Sequence, residues 1–508
     1  MAEKPNLVIV MTDQQRADFA SIEGFPLETT PTVDALARKG VRFAHGYTPT
    51  PVCLPARCSM FTGRFPATHG LRANYFDTSE IRYRTDMLQV LKEQGYATAL
   101  IGKNHSHIDP ERDLDYAEEY SHMTGPIRAD KRESDEQFQR WMQNLLHWVS
   151  EKPTPFPVDL QFPVRIVDRA LDLLENQLAE PFFLWVSFPE PHNPFQVPEP
   201  YFDMFPPEQV PDRVCGPEVL EEKGFPWDWE GKLIEHYHPG YDRLWRRVRS
   251  NYCGMLRLID DQLKRLLGYL ESSRLSERTH VLFVADHGDF VGDYGLFRKG
   301  VGLAECLIRI PFVWTGPDVS CGQEPAAFVS HVDVFPTVCD LLHVQIPEGV
   351  QGRSLVPILT GRDYPVREFE SIYAEYGFGG LQWTEAGEDG FTWDQTFIKG
   401  SDERERKQDA NRIPITFDEL NSITQSGHVK MVRKGDWKLV HTFMGRRELY
   451  NLKNDPAELN NLINDESLRD VREELELELI HWLVRIQDQL PFDRYTMRRA
   501  PGNYVKTD

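Results

Sequence analysis

Long apolar runs are missing from this sequence. Hydrophobic residues make up 40% of its 508 positions, yet no uninterrupted apolar stretch approaches the ~18 residues that a membrane-spanning helix needs. The amino-terminal segment also lacks the basic n-region and the small-residue cleavage site that mark a secretory signal. From these absences we expect a cytoplasmic protein without a membrane partner.

An excess of positive charge and paired cysteines are also missing. The chain has 57 Lys and Arg residues against 79 Asp and Glu residues, a formal net charge of −22. Nucleic-acid binding needs a basic stripe that no segment supplies, so we expect no nucleic-acid partner, and an anionic substrate must be held by a few local cations. The seven cysteines show no paired spacing, which indicates free thiols in a reducing compartment.

The length predicts two domains, because single hydrophobic cores stop growing near ~250–300 residues. The sequence changes character after residue 365, which predicts a catalytic domain over 1–365 and a smaller domain over 366–508.

Two polar, weakly periodic segments, at about 110–165 and 377–430, interrupt these domains. We interpret both as insertions over a functional site, with irregular surface or oligomer contacts as the alternative. Trp383, Phe391 and Trp393 in the later segment either stack on a sugar or aryl ring or pack against a second subunit of a homo-oligomer.

Short apolar runs predict the strands of the first domain. Those runs are residues 7–11, 97–101, 182–186 and 281–285, each of the length and composition of a buried parallel strand. Helical spacing between them is clearest in one apolar face, made of Met255, Leu258, Ile259, Leu263 and Leu266. Strands that alternate with helices predict an α/β fold with a mostly parallel sheet.

The second domain has a different pattern. Residues 437–440 and 448–452 predict short strands of a hairpin, and residues 468–488 predict a helix. We therefore expect a smaller α+β domain with a short antiparallel sheet.

Polar residues follow each predicted strand of the first domain. These are Asp13, then Lys103 and His105, then His192, and finally Asp286 and His287. Because ligands gather beyond the carboxyl ends of parallel strands, we expect these side chains to meet at one edge of the sheet.

The segment Cys53-Leu54-Pro55-Ala56-Arg57, continuing to Thr62-Gly63-Arg64, resembles the maturation signature of the type I sulfatases, members of the alkaline phosphatase superfamily. In that family a formylglycine-generating enzyme oxidises the cysteine to an aldehyde, and it recognises the proline and arginine that correspond to Pro55 and Arg57. The resemblance therefore implies a maturation enzyme as a partner of this protein.

Other segments resemble the same family in the same order along the chain. They are residues 5–13, Gly102-Lys103-Asn104-His105, Pro191-His192-Asn193-Pro194-Phe195, Asp286-His287-Gly288 with the later Lys299, residues 332–337 and 352–355, and residues 448–458. The resemblance implies an alkaline phosphatase-like sandwich, with a large mostly parallel sheet between helices and a smaller α+β domain.

The family pattern also implies a metal site. Its ligands would be Asp13, Gln14, Asp286 and His287, together with the matured side chain of Cys53. Two carboxylates with an amide oxygen and one imidazole suit a single divalent cation, with Ca²⁺ expected first and Mn²⁺ or Zn²⁺ as alternatives. Asp286 and His287 can face the ion together only if the chain has left its strand, and Gly288 permits that turn.

Catalytic roles follow from the same resemblance. Formylglycine at position 53, once hydrated, would attack the sulfur, and Arg57 would hold its diolate. Lys103 and Lys299 would bind the sulfate oxygens, His105 would lie beside the nucleophile, and His192 would protonate the leaving oxygen. The substrate would be a small anionic ester.

The sequence departs from the commonest sulfatase pattern at the metal site. That pattern has two consecutive Asp residues after the first strand and Asp-Asn later, whereas this chain has Asp13-Gln14 and Asp286-His287. In this respect it resembles phosphonate monoester hydrolases, while Lys103 with His105 resembles sulfatases. We predict hydrolysis of a sulfate ester, either a small sulfated saccharide or another organic sulfate. The alternatives are a phosphonate monoester or phosphodiester hydrolase and an unmatured protein that binds sulfated ligands without catalysis.

Overall fold

The computed structural model of the chain describes residues 4–74, 77–377, 428–442 and 445–487. Trp383, Phe391, Trp393 and most of the later predicted insertion lie outside the described residues. The described part contains a large central sheet, a pair of very short strands and a smaller carboxy-terminal sheet.

Seven strands form the central sheet, in the order β2-β8-β7-β1-β6-β4-β5. Its pairings are parallel except for those of β8 with β7 and with β2. The strands along the chain are β1 (Asn6–Thr12), β2 (Val41–Arg42), β3 (Gly46–Tyr47), β4 (Ala97–Gly102), β5 (Tyr116–Glu119), β6 (Phe182–Phe188), β7 (Thr279–Ala285), β8 (Phe312–Thr315), β9 (Val329–Ser330), β10 (Ser371–Tyr376), β11 (Val429–Lys434), β12 (Trp437–Thr442) and β13 (Arg447–Asn451).

The three central strands β1, β6 and β7 are buried along their whole length. Their apolar residues are continuous because both faces of the sheet are covered by helices, as expected for a parallel sheet in an α/β protein. In register, Leu7 of β1 lies between Phe183 of β6 and His280 of β7.

Helices pack on both faces of the central sheet. In chain order, the helices of the described residues are α1 (Pro31–Lys39), α2 (Cys53–Thr62), α3 (Pro66–His69), α4 (Met87–Glu93), α5 (Pro110–Asp113), α6 (Arg132–Asn144), α7 (Phe162–Asn176), α8 (Tyr201–Met204), α9 (Leu220–Lys223), α10 (Phe225–Tyr237), α11 (Trp245–Ser272), α12 (Glu305–Ile308), α13 (Val334–Leu341), α14 (Val356–Leu359) and α15 (Arg469–Gln487). Residues of α7 and α11 share one core with the sheet, and residues of α2, α4 and α13 share the core on its other face. The predicted α/β sandwich is confirmed.

The segment 110–165 contributes more to the sheet than its interpretation as an insertion implied. Its strand β5 pairs in parallel with β4 and forms an edge of the central sheet. β5 has only four residues, which alternate between half-buried and exposed. So short an edge strand leaves little pattern in the sequence.

The carboxy-terminal sheet is antiparallel, in the order β10-β11-β12-β13. The predicted hairpin corresponds to β12 and β13, and two further strands, β10 and β11, extend it. Helix α15 packs Leu475, Leu479 and Trp482 against this sheet. The predicted smaller domain with a short antiparallel sheet is therefore confirmed.

Among the described residues, we find no helix with the length and apolar character needed to cross a bilayer.

Candidate active site

The predicted polar residues lie where the central strands end. Asp13 directly follows β1, Lys103 follows β4, and Asp286 follows β7. Gly102, the last residue of β4, has a φ of +119°, and a Cβ there would lie 1.8 Å from the carbonyl oxygen of Ser187. Only glycine allows the chain that carries Lys103 to turn so close to β6.

Four buried side chains form a compact cluster at this edge. They are Asp13, Cys53, Asp286 and His287, whose potential ligand atoms all lie within 4.8 Å of one another. The Cys53 sulfur is 3.1 Å from His287 Nε2 and donates to Asp13 Oδ1 at 3.5 Å. Two carboxylates and an imidazole nitrogen, all removed from solvent, are a donor set that fits a divalent cation.

The chain leaves the strand before Asp286, so both it and His287 can reach the cluster. Strand β7 ends at Ala285, and a Cβ on Gly288 would lie 1.9 Å from the carbonyl oxygen of Cys306. His287 Nδ1 lies 2.7 Å from the carbonyl oxygen of Gly288. Nδ1 therefore carries the proton, and the Nε2 lone pair faces the cluster.

Arg57 connects three of the loops that build the site. Its Nε donates to Asp286 Oδ2 at 2.9 Å, and its Nη1 donates to the Lys103 carbonyl oxygen at 2.9 Å and to Ser187 Oγ at 2.8 Å. Nη2 lies 3.5 Å from Asp13 Oδ2. The guanidinium is completely buried, so it neutralises part of the charge of two buried carboxylates.

Lys103 and His122 contact Asp13 at the same carboxylate oxygen as Arg57. The Lys103 ammonium pairs with Asp13, and it lies 2.7 Å from His122 Nε2, which is itself 3.3 Å from Asp13 Oδ2. Burial alone would raise the pKa of Asp13, but Lys103, His192 and His122 outweigh it and hold that pKa well below its ordinary value. Asp13 is therefore ionised at neutral pH.

His192 contacts the second lysine of the site, Lys299. Lys299 Nζ lies 3.2 Å from His192 Nε2 and donates to Gln14 Oε1 at 2.8 Å. His192 Nδ1 lies 2.6 Å from the carbonyl oxygen of Asn193, so Nδ1 is protonated and Nε2 faces the site. Burial, with His122 and Lys299 nearby, lowers the pKa of His192 well below its ordinary value.

Gln14 is held in an uncommon backbone conformation, with a φ of +66°. Its N–H donates to Asp286 Oδ1 at 3.0 Å, and its side-chain Nε2 donates to Asp289 Oδ2 at 2.6 Å. With Lys299 on Gln14 Oε1, both ends of the amide are fixed. Burial raises the pKa of Asp289 to about 6.

A family comparison bears directly on this arrangement. The sulfatase family model matches residues 5–344 of the chain. This span contains every side chain of the candidate active site. The chain belongs to the sulfatase family. The predicted family and the prediction of an enzyme, a sulfatase, are confirmed.

Relatives of this sulfatase cover nearly its whole length. It is 28% identical over 505 residues to an arylsulfatase of Clostridium perfringens (strain 13 / Type A), with 92% of each chain covered. It is 24% identical to the multifunctional alkaline phosphatase superfamily protein PehA of Trinickia caryophylli, with 96% of each chain covered.

The fold of the sulfatase is also that of a solved relative. The crystal structure of the phosphonate monoester hydrolase of Agrobacterium radiobacter matches it with a TM-score of 0.74 at 24% identity, covering 96% of this chain and 97% of that one. The likeness confirms the alkaline phosphatase-like fold.

Three histidines of the sulfatase form a second cluster, and sequence reasoning missed two of them. His122, His147 and His192 offer nitrogen atoms within 4.8 Å of one another. The rings of His122 and His192 stack, with their centroids 3.5 Å apart and an angle of 4° between their planes. Metal-ligand spacing is present, but Lys103 and Lys299 place ammonium groups against two of these imidazoles. Those cations favour an anionic group here over a second metal ion.

His105 is close to Lys103 in the sequence, but the histidine that contacts Lys103 and Asp13 in the structure is His122. His105 is two residues after Lys103, half-buried, with a φ of +40°. The imidazole that contacts both Lys103 and Asp13 is that of His122, which follows strand β5. The role assigned to His105 stays a prediction.

The Cys53 side chain lies at the centre of the site, at the first residue of α2. Burial, with the neighbouring Asp13 carboxylate, raises the pKa of the Cys53 thiol to about 12. An unmodified Cys53 is therefore protonated at neutral pH and is a weak nucleophile.

Proposed function

We propose that this sulfatase hydrolyses a sulfate ester with formylglycine at position 53 and a divalent cation, on a small sulfated saccharide or another organic sulfate. The observation that carries the proposal is the position of Cys53 Sγ within 4.8 Å of the ligand atoms of Asp13, Asp286 and His287. Lys103 pairs with Asp13 of that cluster, and Lys299 donates to Gln14, the residue next to Asp13.

Asp13, Gln14, Asp286 and His287 would hold the cation. A bound divalent ion would supply positive charge for the ester oxygens and would acidify the nucleophile. Ca²⁺ is the first candidate, and the His287 nitrogen makes Mn²⁺ and Zn²⁺ the alternatives. Arg57 keeps Asp286 in place through its 2.9 Å hydrogen bond.

Lys103 and Lys299 bind the nonbridging oxygens of the ester. Each ammonium already contacts an oxygen of a buried side chain, Asp13 for Lys103 and Gln14 for Lys299. A sulfate group between them would exchange these contacts for charge-assisted hydrogen bonds of its own. The formylglycine hydrate would supply the attacking hydroxyl group.

We assign His192 to protonation of the leaving oxygen. Its Nδ1 proton is engaged by the carbonyl of Asn193, which fixes the ring and leaves Nε2 toward the substrate. Burial, with His122 and Lys299 nearby, lowers the pKa of His192, so Nε2 carries no proton before the substrate binds. The negative charge of a bound ester would raise that pKa, and Nε2 would then take up the proton that the leaving oxygen needs.

Peptide mass spectrometry across residues 53–64 of protein from its own host tests the proposal. We expect the mass of the aldehyde or its hydrate in place of the thiol, and loss of ester hydrolysis in Cys53→Ala. An unmodified thiol in active native protein would overturn the proposal. Two results together would favour the sulfated-ligand-binding alternative. The wild type would be unmatured and would bind a sulfated ligand without turnover, and the Cys53→Ala variant would keep the full affinity for that ligand.

The second candidate is hydrolysis of phosphonate monoesters or phosphodiesters on the same site. Gln14 and His287 in the ligand set favour it, because these positions distinguish the chain from the commonest sulfatase pattern. Rates on matched aryl sulfate and aryl phosphonate esters separate the two. We expect the sulfate to have the higher kcat/KM, because a sulfate ester presents three nonbridging oxygens to Lys103, Lys299 and the cation, whereas a phosphonate monoester of the same charge presents two.

We also propose the cytoplasm as the compartment and a formylglycine-generating enzyme as a partner. All seven cysteines are unpaired, which supports a reducing compartment.

A further inference from the structure

The loop that follows Lys299 is packed closely against helix α10. A Cβ on Gly300 would lie 2.6 Å from Glu230 Oε1, and a Cβ on Gly302 would lie 2.7 Å from the ring of Trp227. Gly302 also has a φ of +72°, which favours glycine. On this side the loop has no room to move inward.

The carboxy-terminal sheet holds the other side of this loop by its carbonyl groups. The Tyr376 hydroxyl, at the end of β10, donates to the carbonyl oxygen of Gly300. Lys438 Nζ, on β12, donates to the carbonyl oxygen of Leu303 at 2.6 Å. Both donor side chains are buried. Without them, each carbonyl oxygen would be buried without a hydrogen-bond donor, from the protein or from water.

Buried charges anchor Lys438 itself. Its ammonium lies 2.6 Å from Glu458 Oε1 and 3.2 Å from Glu305 Oε1, and Arg433 pairs with the other oxygen of Glu305 at 2.7 Å. The sheet therefore offers the loop a fixed surface, and the loop is clamped between that surface and α10.

We propose that Tyr376 is a positioning residue that acts on the active site through Lys299. Its hydrogen bond orients Gly300, the residue next to Lys299, and so sets how far the Lys299 ammonium reaches toward His192 and Gln14. The inference rests on the proposed function, in which Lys299 binds the ester oxygens. The carboxy-terminal domain is on this account a working part of the site.

A double-mutant cycle tests this link. Tyr376→Phe removes one oxygen atom and keeps the ring, so the fold is retained, and thermal unfolding verifies it. We expect Tyr376→Phe to lower kcat/KM by about tenfold, since small displacements of a substrate-binding group are costly. In a Lys299→Ala background the same change should lower kcat/KM by less than about twofold, because the group it positions is gone.

Tyr373→Phe is the matched control. Tyr373 lies on the same strand, is buried, and has a hydroxyl that donates to Glu375 at 3.2 Å and accepts from Lys430 at 2.8 Å, away from the Lys299 loop. It should keep wild-type kcat/KM. Equal losses from Tyr376→Phe in both backgrounds, wild-type kcat/KM in Tyr376→Phe, or equal losses in Tyr373→Phe and Tyr376→Phe would each overturn the proposal.

Calorimetric binding of inorganic sulfate to the full chain gives the same comparison without turnover. We expect Tyr376→Phe to weaken binding in the wild-type background and to leave it unchanged in the Lys299→Ala background. Failure of the proposed function would appear differently, as matured wild type that hydrolyses no sulfate or phosphonate ester.

Discussion

Asp13 has more partners than any single role would need. Lys103, His122, Arg57 and Cys53 all contact its carboxylate, and all are buried or nearly so. Burial of an unpaired carboxylate would cost free energy of folding, and the surrounding positive charge keeps Asp13 ionised. A cation that enters the site meets a ligand already in its charged form.

His122→Asn should lower kcat/KM for the best ester substrate by at least about tenfold, since the change removes a ring that stacks on His192 and contacts Lys103. Steady-state kinetics with thermal unfolding as a check measures this.

His105→Asn is the comparison variant for His122→Asn. If His105→Asn loses activity while His122→Asn keeps wild-type kcat/KM, the catalytic imidazole beside Lys103 and Asp13 is His105, and the contacts of His122 do not matter for catalysis.

Sequence predicted the strand-end residues because position along a parallel sheet fixes them. Asp13, Lys103 and Asp286 each directly follow an apolar run, so a rule about strand ends suffices to bring them together. His122 and His147 lie in a region without such a run, and only the paired edge strand β5 brings His122 to the site. Asp289 was not predicted as a site residue, although its position directly after Asp286-His287-Gly288 could have indicated it.

Helix α4 is tied to the loop after β4 by a buried pair. Asp86 caps the helix by accepting from the Gln89 N–H at 2.8 Å, and its other oxygen is 3.0 Å from His107 Nε2. Burial would lower the pKa of His107, but the Asp86 carboxylate and the nearby Cys58 outweigh it and raise that pKa to about 9.

The folded protein should lose stability as pH rises past the ordinary His pKa. Because the folded pKa lies above the ordinary histidine value of 6.5, the protonated imidazole stabilises the folded state. That contribution is complete below about pH 6.5 and is lost as the pH rises through about 9, up to about 3 kcal/mol. Urea unfolding of wild type and His107→Gln from pH 6 to 9.5 isolates it, since other groups titrate equally in both.

Parallel stability curves for wild type and His107→Gln over that range would contradict the assignment. A wild-type curve that falls toward the curve of the variant as the pH rises would support it.

At the level of strands and helices, what sequence can predict depends on burial. The strands β1, β6 and β7 have continuous apolar residues because both faces are covered, and their predicted positions lie within two residues of the observed ones. The strand β10 is buried along its whole length but includes Ser371 and Glu375, and β11 includes three basic residues, so neither has a continuous apolar run; the edge strand β5 alternates half-buried with exposed residues. Such strands take their conformation from a neighbour, which local sequence does not record.

Buried charges join the carboxy-terminal sheet to the helix and loop segments packed against it. Lys438, on the carboxy-terminal sheet, is fully buried between Glu305 of α12 and Glu458. Lys438→Met should destabilise the protein by about 3–5 kcal/mol, because it removes the buried cation that pairs with Glu458 and leaves Glu305 with one cation fewer. Chemical denaturation measures the change.

Lys39→Met is the matched control for Lys438→Met. Lys39 pairs with Glu271 at 2.6 Å, but the two side chains are 66% and 58% exposed, so its loss should cost less than about 1 kcal/mol. Equal effects of the two substitutions would show that the buried network contributes no more than a surface pair.

Because Cys53, Pro55 and Arg57 are buried in the folded protein, oxidation of Cys53 and folding of the chain must occur in a definite order. Under the proposed function, the enzyme that recognises this segment must reach it, whereas in the folded protein the segment forms the first turns of α2 and is buried. Oxidation therefore has to come before folding is complete, and the two processes compete. A chain that folds first keeps its thiol, and only unfolding would give it a second chance.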